Sequence, residues 1–416
     1  MESITLIEHE TLPIVQERSK GQKALSVEHA DALGKLEKLF PPKTFSWGHR
    51  SVKFAHYCGV ISLGNLTLEI LPKIYGKETE PGACRKALIK MLVKTRRLIT
   101  HPGGPVNIAL QKHALLDVFI LHFCDQLHAE LMQGMIRHYV ERNENLKVLR
   151  GCLRVEQQFK YNLAHRERLY CQYDELSADN PHNQVIKHVL QLMIKVSTGL
   201  MARKKLTELL LRFEAINDVK ADIQMIDSLT FNRTTCRYEH IFDQCRWFLQ
   251  GLHPDVLVGP NSCITLLFDM NRLFESFVAK VLRKLAWADG KRLREQGPQK
   301  YMVRRGDSNE QLFLMKPDMV FLDSDNRFAA IADAKWKMLD DREKKIGISQ
   351  SDLYQMAGYA MRYGVDRLAL VYPRQQYLQN AIDLQLQGCS STLKIIPVDV
   401  TTGRVPKIEG VPFWNL

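Results

Sequence analysis

The chain has 416 residues, 45% hydrophobic and 25% charged, a composition that excludes a disordered or fibrous protein and, at this length, calls for two or three domains. A formal net charge of +12 favours a polyanionic partner. The nine scattered cysteines contain no C-x-x-C pair, which excludes a zinc ribbon and a disulfide framework and fits reduced thiols in a cytoplasm.

The first residues, Met1 to Ile14, lack the basic segment and apolar run of a signal peptide. Residues 1 to about 75 read as mainly β. Ser3 to Leu6 and Val52 to Ser62 are strand candidates, and Gly64-Asn65 is a hairpin signal before Leu66 to Leu71. Alternation of Leu66, Leu68 and Ile70 predicts one buried face. A basic amphipathic helix is expected over Ala83 to Leu98. His101-Pro-Gly-Gly-Pro105 then marks a boundary.

A long helix is predicted over Gln111 to Glu141, with Leu116, Phe119, Ile120, Phe123 and Leu127 as a core stripe. Its most apolar stretch, Ala114 to Phe123, contains Asp117 and His122 and is too short to span a bilayer, so no membrane role is expected. Residues 146 to 175 read as extended and basic, and Arg150 to Arg168 is a candidate contact for DNA or an acidic partner; a solvated basic surface is the alternative. Helices follow at Asn183 to Leu200, Lys204 to Ile216 and Arg237 to Leu249.

From about Leu266 the pattern becomes α/β: helix Met270 to Leu285, strands Leu312 to Leu322 and Phe328 to Trp336, helix Asp352 to Tyr363, and strand Leu368 to Tyr372. The expected architecture is therefore multidomain α/β. A β-rich domain spans 1–105, a mainly helical middle region 106–265, and a C-terminal α/β domain with a mixed central sheet 266–416.

The chemistry concentrates in Lys316 to Lys335. Asp318 precedes Asp333 by fifteen residues, with the polar turn Ser324 to Arg327 between two apolar strands. A four-residue loop would set Asp318 directly across from Asp333, and strand alternation points Asp333 and Lys335 the same way. Two carboxylates and an ammonium would then converge among apolar neighbours, where charges are costly unless paired or metal-bound. Oxygen ligands on a rigid sheet suit Mg²⁺. The bland alternative is a surface hairpin in which Lys335 pairs with one aspartate. Glu275, on the helix with Val278 and Leu282, is a further carboxylate candidate or an exposed helix residue. Gln355 and Tyr359 share a helical face and could meet the metal site or a DNA phosphate, or be ordinary surface.

The Pro317-Asp318 and Asp333-Ala-Lys335 pattern resembles the PD-(D/E)xK nuclease superfamily. Glu275 matches the helix glutamate of many members, and Gln355-Met-Ala-Gly-Tyr359 resembles the Q-x-x-x-Y motif of the RecB-like branch. Asp333 stands where many relatives have Glu. Cys58-Gly-Val-Ile-Ser62, Leu68 to Ile74, Gly151-Cys-Leu153, Tyr170 to Asn183 and Leu273-Phe-Glu275 extend the likeness over about residues 55 to 375. Over that span the chain resembles the McrC family, nuclease subunits of McrBC-type modification-dependent restriction systems.

The resemblance implies an Mg²⁺-dependent endonuclease acting on double-stranded, methylated DNA. Asp318, Asp333 and Lys335 would be catalytic, Gln355 and Tyr359 supporting, and Asp318, Asp333 and Glu275 metal ligands. It also implies an McrB-like AAA+ GTPase hexamer as partner, with residues 1–105 docking on that ring and stimulating GTP hydrolysis. The chain has no G-x-x-x-x-G-K-[ST] sequence of its own. Two other readings remain: a stand-alone repair or recombination nuclease, and a non-catalytic adaptor that activates an AAA+ ring.

Overall fold

A computed structural model describes residues 2–37, 40, 44–95, 114–165, 167–258, 261–339, 347–388 and 390–405. The His101 to Pro105 breaker and the mixed-charge sequence Asp340 to Lys345 lie outside them. The chain forms two compact units, one of His113–Leu266, the other of Glu2–Lys112 together with Leu267–Leu416. This differs from the expected three-part division. The break near residue 266 is there, but the first hundred residues belong with the C-terminal third. The contacts give the reason: helix Pro81–Lys94 packs on helix Met270–Ala288, and Lys90 Nζ donates to the Thr401 carbonyl at 2.6 Å.

In the discontinuous unit, strand Glu2–Ile7 runs parallel to Leu66–Leu71, which pairs antiparallel with Tyr57–Leu63. Gly64, at φ +64°, supplies the left-handed residue that the two-residue turn needs. The single strand expected over Val52 to Ser62 is two, Ser51–Phe54 and Tyr57–Leu63, with His56 between them at φ +65°. All six residues of Leu66–Leu71 are buried, so the expected single buried face is also corrected. Glu69 is accommodated because Arg85 Nε and Nη2 each reach its carboxylate at 2.6 Å and Thr5 Oγ1 donates at 2.8 Å. Helix Val27–Glu37 was not foreseen.

The C-terminal part holds a six-stranded mixed sheet in the spatial order Arg292–Glu295, Met319–Leu322, Phe328–Ala334, Arg367–Pro373, Thr392–Val398, Ile382–Gln385. The first three strands are antiparallel; Phe328–Ala334, Arg367–Pro373 and Thr392–Val398 are parallel. Helix Gln350–Tyr363 crosses between the first two parallel strands. Its Met356, Tyr359, Ala360 and Tyr363 pack with Val320, Ile331, Leu370 and Tyr372. Alternation turns Ala330, Ala332 and Ala334 to the other face, where helix Met270–Ala288 packs on the same strand. The strand predicted over Leu312 to Leu322 is broken by Pro317. Its first half, Gln311–Met315, pairs instead with Lys300–Arg304 in a separate ribbon.

The other unit is built on helices Leu115–Met132, Pro181–Val196, Leu200–Arg212 and Glu239–Gly251. The predicted long helix stops at Met132, and its last residues begin strand His138–Leu146. That strand pairs with Leu169–Ser177, which also pairs with Cys152–Leu153. Between them lies helix Val155–Asn162, in a stretch expected to be extended.

Candidate active site

The hairpin of Met319–Leu322 and Phe328–Ala334 aligns Met319 with Ala332, so the next step along the register sets Asp318 opposite Asp333. A bulge lies between Phe321 and Leu322, at the turn end, so the turn is one residue longer than a regular four-residue loop while the register at the aspartates is kept. Asp318 Oδ2 accepts the Ala334 backbone N–H at 2.9 Å, which holds its carboxylate beside the neighbouring strand. Asp333 is 1% exposed, and its Oδ2 lies 2.7 Å from Lys335 Nζ.

Lys335 stands one residue past its strand, with its N–H bonded to the Val371 carbonyl at 2.9 Å. Its ammonium is held by Asp333, by Gln355 Oε1 at 3.2 Å and by Asp352 Oδ1 at 3.7 Å. Gln355 in turn donates to the Tyr359 hydroxyl at 2.8 Å. Tyr359 is 2% exposed and is hydrogen-bonded to the cluster through Gln355. Glu275 is half-buried and accepts from Gln296 Nε2 at 3.1 Å, while the Gln296 backbone N–H donates to the Asp318 carbonyl at 2.8 Å. The six residues singled out from sequence are thus brought to one region, Glu275 at its edge.

The electrostatics are those of crowded carboxylates. Burial, then the charges of Asp333 and Glu275, push the Asp318 carboxyl up to about 8, against the Ala334 N–H and Lys335. Burial also raises Asp333, although Lys335 pulls it the other way. Burial opposes the Lys335 charge, but Asp333, Asp352 and Asp318 outweigh it and hold the ammonium above its ordinary range. The raised Asp318 carboxyl marks a repulsion that a bound cation would relieve.

That deficit, and an all-oxygen donor set, fit a hard divalent cation. Among the described residues no three His, Cys, Asp or Glu side chains form a ready metal cage. Mg²⁺ does not require one, since it keeps several waters and takes one or two carboxylates.

Sequence reading missed Asp352, Gln296 and Tyr372. Asp352 could have been found, three residues before Gln355 and so on the same helical face. Tyr372 is fully buried beside the site, with a hydroxyl that has no hydrogen-bond partner among the described residues. Gln296 carries no local signal.

The segment Arg150 to Arg168, expected to be a basic contact, is partly self-neutralised. Arg150 lies over the Tyr173 ring at 3.9 Å and near Glu175, which also pairs with Arg142 at 3.2 Å. Large apolar side chains are nevertheless exposed there, Val155, Phe159 and Leu163, with Val148 and Leu149 just before the segment.

Among the described residues no helix is long and apolar enough to cross a membrane. Comparison with curated proteins returns no match. Among solved structures, the chain is similar to one in a half-complex from a tetradecameric assembly of Thermococcus gammatolerans McrB AAA+ hexamers with bound McrC. The TM-score is 0.75 and the identity 21%, over 97% of each chain. It also matches a chain of the cryo-EM structure of the Thermococcus gammatolerans McrBC complex, with TM-score 0.54 and 25% identity over 68% of this chain and 88% of that one. The family model described as McrBC 5-methylcytosine restriction system component matches residues 52–373, which include all six candidate residues. By that match the chain belongs to the McrBC 5-methylcytosine restriction system component family.

Proposed function

We propose that this chain is the Mg²⁺-dependent endodeoxyribonuclease subunit of a GTP-driven, modification-dependent restriction complex. The observation that carries the reading is the pairing of half-buried Asp318 with buried Asp333, with Lys335 Nζ 2.7 Å from Asp333. Asp318 and Asp333 would hold the metal, with Glu275 as an outer carboxylate. Bound Mg²⁺ supplies Lewis-acid activation of water and of the scissile phosphate.

The chain's own residues do the rest. Lys335 presents a fixed positive charge to the attacking water or to a phosphate oxygen on which negative charge develops. Gln355 and Asp352 keep that ammonium over the carboxylates, and Tyr359 orients Gln355. The apolar floor of Val320, Ile331 and Leu370 keeps the carboxylates poorly solvated, which strengthens every charge interaction above it.

The partner in this reading is an McrB-like AAA+ GTPase hexamer. The support is the family membership and the solved assemblies, whose descriptions pair McrB AAA+ hexamers with McrC. The substrate is double-stranded DNA carrying methylcytosine, in keeping with the family description.

The test is cleavage of methylated and unmethylated plasmid by the purified chain in Mg²⁺, with and without the GTPase and GTP. Asp333→Asn, which keeps the side-chain shape, is run alongside. Cutting of methylated plasmid that needs GTPase and GTP and falls more than about 100-fold in the variant is expected, the scale of losing a preorganised catalytic group. Cutting by the chain alone would indicate an independent nuclease. No Asp333-dependent cutting would indicate an adaptor that only activates the ring.

A further inference from the structure

Lys335 poses a mechanical question. It lies beyond the last residue of its strand, and residues 335–339 have no regular structure. Its backbone N–H has a ladder-like bond to Val371, but the chain then turns away, with the Lys337 N–H donating back to the Lys335 carbonyl at 3.0 Å. A catalytic ammonium must nevertheless be held to a fraction of an ångström.

The next residue answers it. Alternation sends Lys335 to the face of Asp333 and Trp336 to the opposite face. There the Trp336 ring meets Phe274 at 5.3 Å, beside Glu275 on helix Met270–Ala288. The indole Nε1–H donates to Glu8 Oε2 at 2.9 Å. Glu8 is itself fixed. It is 3% exposed, its Oε1 accepts the His56 N–H at 3.0 Å, and its own N–H donates to the Leu71 carbonyl at 2.8 Å. Both carboxylate oxygens thus hold groups on other elements of the same unit, one of them the neighbour of Lys335.

A buried carboxylate is an expensive way to tie strands together, since an apolar side chain would fill the space without the desolvation cost. It becomes intelligible if the bond does what packing cannot, fixing one rotamer of Trp336 through a directional contact. Glu8 also lies outside the span that the family model matches, so motif reading offers no route to it.

We propose that Glu8 and Trp336 are positioning residues that lock the backbone at Lys335, so that the N-terminal strands complete the catalytic centre from behind the sheet. This rests on the nuclease reading above.

The experiment uses the full chain with its GTPase partner, GTP, Mg²⁺ and methylated plasmid. Trp336→Phe keeps the ring against Phe274 and deletes only the N–H. Glu8→Gln leaves one acceptor oxygen for two donors. The expected result for Trp336→Phe is kcat about tenfold lower, within the range found for small misplacements of catalytic groups, with KM for DNA, GTPase stimulation and thermal midpoint near those of the parent. The double variant Glu8→Gln/Trp336→Phe is expected to be no slower than the slower single variant, because Glu8 acts on Lys335 through the Trp336 bond that Trp336→Phe already removes.

A parent-like kcat in Trp336→Phe, a loss confined to KM, or single losses that multiply in the double variant would overturn the proposal. Lys335→Ala separates the two levels. If it abolishes cutting while Trp336→Phe does not reduce it, only the positioning role fails. If Lys335→Ala cuts at the parent rate, the nuclease assignment fails with it.

Discussion

Asp318 is where the site's charges are least balanced, and the imbalance has a measurable sign. Its carboxyl titrates at about 8 in the folded chain, raised by burial and by Asp333 and Glu275, against an ordinary 3.8. The folded state therefore holds this proton more tightly than the unfolded chain does. The favourable contribution is complete below about pH 4 and is lost as pH rises to about 8. Without divalent metal, Asp318→Asn should abolish that loss. The variant should be more stable than the parent at pH 8, by about 1–3 kcal/mol once partial exposure of the carboxyl is allowed for, and near parity at pH 4. Thermal melts in a chelator across this range test it, and a variant less stable than the parent at pH 8 would contradict the assignment. Adding Mg²⁺ at pH 8 should raise the midpoint of the parent and leave the variant almost unmoved. This residue, Asp333 and Lys335 were legible in the sequence because one hairpin brings them together, and hairpin geometry follows from spacing. Gln296, Glu8 and Trp336 were not, because their contacts join segments with no shared local pattern.

At the scale of elements, spacing rules served where one strand or helix carried the signal, and they failed where a polar run concealed a change of element. Helix Gln350–Tyr363 shows the first case. Ser349 caps it by accepting the Asp352 N–H at 3.1 Å, and Gly364 closes it in the left-handed conformation. The segment after Met132 shows the second. Gly134, at φ +111°, ends the long helix despite continuing apolar periodicity, and that positive φ is a backbone property that hydrophobic spacing does not report. Between the strands that follow, helix Val155–Asn162 exposes Phe159 (66%), and Leu163 at its end is 71% exposed. Large apolar groups left in water suit a protein surface better than a DNA backbone. Phe159→Glu should therefore weaken binding to the proposed AAA+ partner about tenfold while changing stability by less than about 0.5 kcal/mol, as expected for an exposed side chain. Titration of labelled partner reads the first effect and chemical denaturation the second. Unchanged affinity would place the docking surface elsewhere.

At the scale of the whole molecule, the discontinuous unit changes how the chain can be dissected. A linear reading suggests removing residues 1–100 to separate partner docking from cleavage. In the structure that deletion strips strand Leu66–Leu71, the buried Glu69–Arg85 pair and helix Pro81–Lys94 from the body that carries Asp318, Asp333 and Lys335. It also removes Glu8, leaving the Trp336 indole without its acceptor. The newly bared side of helix Met270–Ala288 would expose apolar residues, a large cost for the fragment that remains. Residues 267–416 alone should therefore show no cooperative thermal transition, whereas residues 2–112 and 267–416 expressed as separate pieces should recover one when mixed. The His113–Leu266 unit has its own helical core and should melt cooperatively when excised. Differential scanning calorimetry of the three samples decides the matter. A sharp transition in isolated 267–416 would mean that the C-terminal sheet is self-sufficient and that the N-terminal strands are an accessory. Its absence, together with recovery on mixing, would mean that substitutions in the first hundred residues alter cleavage by altering the catalytic body itself, so that losses of activity there cannot be assigned to partner binding without a separate measurement of GTPase stimulation.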